Sequence, residues 1–304
     1  MNAIILNEPL SRISLLAIFA AMAVYTVAFL LLAANLSRLA SEKKSIRESA
    51  GKLENYGLIF FSIAAVLHAF GVISRGIAAS RVPWANMYEF SITGTLVAVT
   101  IFLVAQRIRP DIRLIATFVS GFVLLVLGIA TTVWYVEVKT LMPALQDYWL
   151  VIHVSVAILG TAFFNIAAAL SIAYLFKGAK FLEAPKSQVL LWGKRLLAMF
   201  PEAGKLERLS YRFNIIGFML WSFTLIAGAI WAERAWHRYW GWDTKEVWTF
   251  IIWTIYAGYL HANATRGWSG KRSAILALVG FAAIIFNFSI VNLYFKGLHV
   301  YSGL

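Results

Sequence analysis

Residues 13–37 read ISLLAIFAAMAVYTVAFLLLAANLS, a run with no charged side chain. A helix needs about 20 apolar residues to cross the hydrocarbon core of a bilayer, so this stretch reads as a span. It is too long for the apolar region of a cleaved signal peptide, and no small-residue cleavage site follows it. The expectation is a retained helix. The rest of the chain has the same character. Of 304 residues, 61% are hydrophobic and 13% charged, against roughly 45–50% and about 25% in soluble domains. Further runs long enough to span occur at approximately 57–79, 88–106, 112–134, 149–176, 213–234, 248–265 and 273–296. The fold expected is therefore all-α, a polytopic integral membrane bundle of about eight transmembrane helices.

The formal charge of +13 could suggest nucleic acid as a partner, but its placement argues otherwise. Segments 38–56, 107–113, 177–212 and 266–272 hold 5, 3, 8 and 3 Lys/Arg, 19 of the 27 in the chain. These are alternate loops, and the positive-inside rule makes their side cytoplasmic. Both termini then face outward, with the loops around 80–87, 135–148 and 235–247. The excess charge is a topology signal, and nucleic acid drops out as a partner. Segment 177–212, with Pro185, Pro201 and mixed charges, is the one sizeable cytoplasmic connection and is expected to carry short helices. Cysteine is absent, which excludes disulfides, thiolate metal ligands and nucleophilic thiols of the chain's own. Any thiol chemistry needs sulfurs from a partner or substrate.

The five histidines sort by this topology. His68 falls near the middle of the second run. His261 lies thirteen residues into the seventh, roughly 19 Å along a helix at 1.5 Å per residue. His153 enters the fifth run from outside, His299 follows the eighth, and His237 belongs to an outer loop. A lone histidine is more often a hydrogen-bonded structural residue than a ligand. Ionisable residues inside a membrane are nevertheless functional hypotheses by default. His153 and His299, at one level on either side of an aromatic loop, suit the opposed imidazoles of six-coordinate haem iron. Zinc fits less well, because neither Cys nor HExxH supplies a close ligand set.

That aromatic loop is WHRYWGWDTKEVW, residues 236–248, with four of the chain's twelve tryptophans. An interfacial belt explains Trp134, Trp149 and Trp231. A belt should form on both faces, and the cytoplasmic side offers only Trp192 and Trp268. The asymmetry favours a platform for a flat aromatic ligand, on which indole faces stack. Trp236, Trp240, Trp242 and Trp248 are the expected platform, with Arg234, Arg238 and Lys245 as cations for anionic groups such as haem propionates. Asp243 and Glu246 would be poor neighbours for propionates. They are expected to hold the loop's shape or cap the next helix. At another outer span entrance, Asn86, Tyr88 and Glu89 are explained by capping and anchoring.

The stretch AWHRYWGWDTKEVW resembles the tryptophan-rich "WWD" signature of haem-handling proteins. RVPWANMYEF (81–90), LQDYWLVIHVS (145–155), YAGYLHANA (256–264) and GLHVYSG (297–303) extend the likeness to the CcsA/ResC family, also called CcsB, of System II cytochrome c biogenesis. The resemblance covers nearly everything from about residue 57. It divides the chain into 1–56, the first helix with its basic loop, and 57–304, a haem-handling membrane domain that includes the loop at about 231–248.

The resemblance implies haem b as substrate, held at the outer WWD site with His153 and His299 as axial ligands. It matches His261 to a transmembrane haem ligand, opposed by a histidine of a ResB/CcsB-type partner or by His68. Asp243 belongs to the signature itself. No residue is assigned to catalysis. The implied activity is that of a cytochrome c synthase subunit, attaching reduced haem to CXXCH cysteines of apocytochrome c. Thiol-reducing proteins and membrane lipid are the further partners, in the cytoplasmic membrane with the WWD loop outward. The 81–90 loop is implied to help close the haem site or receive the apocytochrome. One departure is His237, where the family commonly has glycine. The alternatives are CcmC-like loading of a haem carrier, a bis-histidine membrane cytochrome b, and a transporter of an amphipathic aromatic solute.

Overall fold

The computed structural model describes residues 6–41, 50–108, 110–140, 146–179, 187–295 and 297–298, and among them the secondary structure is helical. The first of two units runs to Leu141, the second from Met142 to Tyr301. Residue 56, the sequence-based boundary, lies within the helix Ala50–Ala79 of the first unit.

The first unit contains α1 (Glu8–Leu39), α2 (Ala50–Ala79), α3 (Met87–Ile108), a 3-10 turn (Pro110–Ile115) and α4 (Ala116–Thr132). Asn7 caps α1 by accepting from Leu10 N at 3.0 Å, as a short polar side chain at that position should. Asn7 N in turn donates to Ala78 O, and Ser14 Oγ to Gly71 O, so the start of α1 lies along the end of α2. Tyr25, Phe61 and Phe102 pack edge to face in the core. His68 is fully buried beside them.

The second unit contains α5 (Tyr148–Lys177), α6 (Gln188–Ala198), α7 (Ala203–Trp236), α8 (Thr244–Arg266) and α9 (Lys271–Phe286), which continues through a π turn (Asn287–Val291) into α10 (Asn292–Tyr294). Helix α5 packs against α7 and α9. Phe164 of α5 stacks on Tyr256 of α8 with centroids 3.8 Å apart, in a core completed by Trp221, Ile252, Tyr259 and Ile284. The short α6 lies in the segment expected to carry short helices.

The chain is a multi-pass membrane protein. Among the described residues, seven helices are long and apolar enough to cross a bilayer, where the sequence reading counted eight. The difference is α8. At 23 residues it is roughly 35 Å long, but it carries Thr249, Thr254, Tyr256, Tyr259, His261 and Asn263, which lower its mean hydropathy.

Candidate functional site: a histidine and tryptophan cluster in the second unit

Helix α5 begins at Asp147, whose side chain accepts from Trp149 N at 2.7 Å. Just over one turn further, His153 turns toward α7, and its Nδ1 lies 2.9 Å from the carbonyl oxygen of Thr224. A carbonyl only accepts, so Nδ1 carries the proton and Nε2 the lone pair. Histidines that bind metals are held in this way, the second nitrogen donating to a carbonyl or carboxylate that fixes tautomer and ring orientation. The approach depends on Gly228. A Cβ there would lie 2.8 Å from His153 Cε1 and 2.9 Å from Nδ1, closer than van der Waals contact permits.

One turn beyond Gly228, Trp231 stacks on the imidazole at 6.0 Å with 20° between planes. Trp236 meets Trp231 edge to face at 4.8 Å. Thr224, Gly228 and Trp231 are spaced i, i+4, i+7 and so share one face of α7. This corrects the reading of Trp231 and Trp134 as belt residues. They are 1% and 9% exposed, and a belt indole faces lipid.

Helix α7 stops at His237, which adopts the left-handed conformation, φ 55° and ψ 37°, and whose N donates to Glu233 O. Glycine is the usual residue in this closing position, which explains why a small residue suits it. His237 is exposed. Trp242 is the second left-handed residue of the loop, φ 58°, a conformation that costs a bulky side chain about 1–2 kcal/mol. Glu246 holds it there. Its Oε2 accepts from Gly241 N at 2.8 Å and Asp243 N at 3.1 Å, the amides on either side of Trp242. The indole is left 75% exposed, edge to face with Trp240 at 5.9 Å.

Asp243 accepts from Lys245 N through Oδ1 and forms a capping box with Glu246, as expected for an acid before this helix. Its Oδ2 accepts from Leu298 N at 2.7 Å. His299, the next residue in the chain, lies outside the described residues.

The other expected contributors have the following partners. Trp248 packs on Phe286 at 4.4 Å and against the core of the second unit. Arg234 pairs with Asp147 at 3.4 Å and lies over the Tyr148 ring. Arg238 reaches back to Gly241 O. Lys245 donates to Asn287 O at 2.7 Å and Asn292 Oδ1 at 2.9 Å. His261 is exposed on α8.

His68 belongs to the first unit, where both ring nitrogens have partners. Nε2 donates to Ile92 O at 2.9 Å, which leaves Nδ1 to accept from Tyr25 Oη at 3.4 Å. That is a satisfied core histidine. Glu89, also in the first unit, pairs with Arg75 and Arg81, and Asn86 caps its helix. Sequence reasoning missed Thr224, Gly228 and the stacking role of Trp231. The i, i+4, i+7 spacing alone was a signal, but one shared with ordinary packing.

The family described as cytochrome c assembly protein matches residues 84–299, which contain this whole arrangement. The chain belongs to the cytochrome c assembly family. Cytochrome c biogenesis protein CcsA of Prochlorococcus marinus is 34% identical to it over 274 residues, 83% of this chain and 86% of that protein. CcsA of Trieres chinensis is 33% identical over 83% of this chain and 88% of its own length. CcsA of Synechococcus elongatus is 33% identical over 81% and 86%. Among solved structures, Cytochrome c Heme Lyase CcmF aligns with a TM-score of 0.61 at 16% identity, over 92% of this chain and 46% of its own. The chain thus spans about half the length of CcmF, and the likeness is one of fold.

Proposed function

We propose that this chain is the haem-handling membrane subunit of a cytochrome c synthase. Haem b is its substrate, and it works with a ResB-type membrane partner to attach reduced haem to the CXXCH cysteines of apocytochrome c. The carrying observation is His153, with Nδ1 committed to Thr224 O and Nε2 therefore the ligating nitrogen, inside the family-matched segment.

The residues fit the substrate. Nε2 of His153 and the imidazole of His299 would hold the iron. Trp236, Trp240 and the exposed Trp242 offer aromatic faces to the macrocycle. Trp149, on the face of α5 that carries His153, has a buried indole N–H with no acceptor among the described residues, a donor suited to a propionate oxygen. Arg238 and Arg234 are the nearby cations. Haem supplies two vinyl groups, and each thioether forms by adding one cysteine S–H across one of them. The S–H bond breaks, the S–C bond forms, and the hydrogen ends on the neighbouring vinyl carbon. Both sulfurs come from the apocytochrome, in keeping with a chain that has no cysteine. The chain contributes placement, which lowers the barrier by proximity, while thiol-reducing proteins keep the cysteines available.

His261, exposed on α8, suits a second haem site completed by a histidine of the partner. The setting is the cytoplasmic membrane, with both termini and the WWD loop outward. The test is to purify the chain with its partner and compare His153→Ala, His299→Ala and the double variant. Reduced-haem absorbance and covalent haem on a co-expressed CXXCH reporter should both fall sharply. Retention of both in the double variant sinks the proposal.

A further inference from the structure

We infer that Asp243 and Lys245 act as a latch that registers the segment carrying His299 against the tryptophan loop, which makes Asp243 a positioning residue for the second haem ligand. This rests on the outer-ligand reading above.

Four contacts converge on the latch, all within the second unit. Asp243 already has a complete task as the cap of α8, for which Oδ1 suffices. Its other oxygen accepts from Leu298 N at 2.7 Å, across 55 residues of chain. The chain passes very close at this point. A Cβ on Gly297 would lie 2.2 Å from Asp243 Oδ2 and 2.9 Å from Cγ, so any larger residue would force the carboxylate or the backbone to shift. Two residues along α8, Lys245 Nζ donates to Asn287 O at 2.7 Å and Asn292 Oδ1 at 2.9 Å. It thereby holds the π turn and α10 that lead into Gly297. Asn292 is itself oriented by donating to Phe288 O at 2.7 Å.

A cap needs neither the second oxygen nor the glycine, and Lys245 contributes nothing to the cap beyond its backbone N–H. Together these contacts fix the direction of the chain on the residue immediately before His299. Ordering the backbone that leads into a ligand beforehand lowers the entropic cost of binding. The loop that displays Trp242 and the backbone at Gly297 and Leu298 are therefore one built unit.

Asp243→Ser separates the two tasks. Serine caps a helix about as well as aspartate but is too short to reach Leu298. Leu298→Pro removes the donor itself and leaves Asp243 intact. Amide hydrogen exchange in the haem-free chain reads the latch directly. In Asp243→Ser, the peptide containing Leu298 should exchange at least about tenfold faster, the loss of one hydrogen bond of about 1.4 kcal/mol, while α5 and α7 are unchanged. The same variant, purified with its partner, should lose the reduced-haem spectrum of the parent in the manner of His299→Ala, and Leu298→Pro should do likewise. Parental exchange at Leu298 in Asp243→Ser overturns the latch. So does a parental spectrum in both variants when His299→Ala changes it. If His299→Ala leaves the spectrum untouched, the outer-ligand reading fails instead, and the exchange experiment still decides whether Asp243 holds the segment.

Discussion

Glu89 in the first unit and Glu246 in the second occupy the same place in their helices, three residues after an Asn or Asp cap. They produce opposite results. Glu89 is fully buried. It accepts from Ala85 N and pairs with Arg81 and Arg75. Arg75, also fully buried, goes on to Ser11 Oγ and Val136 O and lies over the rings of Tyr88 and Tyr135. That acid closes a region on itself, joining α1, α2, α3 and the segment after α4. Glu246 instead grips the two amides flanking Trp242 and turns the indole outward. The capping pattern is common to both. What differs is the surroundings: two arginines make the first a buried ion cluster, and an aromatic loop makes the second a display.

The largest effect should come from breaking the closed region. Glu89→Ala leaves Arg75 buried beside no counter-charge, at a cost of about 3–5 kcal/mol, whereas Glu246→Ala should cost about 1–2 kcal/mol as a lost cap. Thermal unfolding in detergent should rank them in that order, and equal melts would erase the distinction drawn here. Next comes Gly228→Ala, whose added methyl meets the His153 ring at 2.8 Å. Overpacking of this kind costs about 1–3 kcal/mol, so the fold should survive. Reduced-haem absorbance should drop because the imidazole must shift, and an unchanged spectrum would detach His153 from the site. The smallest effect is expected of His237→Gly. Removing a side chain at φ 55° should raise stability by about 0.5–1 kcal/mol with no change in haem absorbance. A loss of haem would instead give the His237 ring a direct part in binding.

Much of the candidate site was legible because its chemistry is local. Asp243 as a helix cap follows from its place before α8. Glu246 was expected to hold the loop's shape or cap the same helix, and its bonds to Gly241 N and Asp243 N do so. His153 was singled out by topology and resemblance. Its tautomer was not legible, because that depends on Thr224, seventy-one residues away in α7. Trp231 was misjudged for the same reason. A tryptophan near a span end looks identical in sequence whether it faces lipid, a histidine or the core, and only the rotation of its helix decides.

The sequence by itself determined that the chain is helical and membrane-spanning. Apolar run length and the cost of unpaired backbone groups in lipid leave no other structure for such segments. It also determined where helices begin, since caps act within three or four residues. The tertiary structure decided which histidine nitrogen bears the lone pair, which tryptophans are presented and which are packed, and that Asp243 reaches Leu298. Each of these is set by contacts between helices distant in the chain, whose register no local pattern encodes.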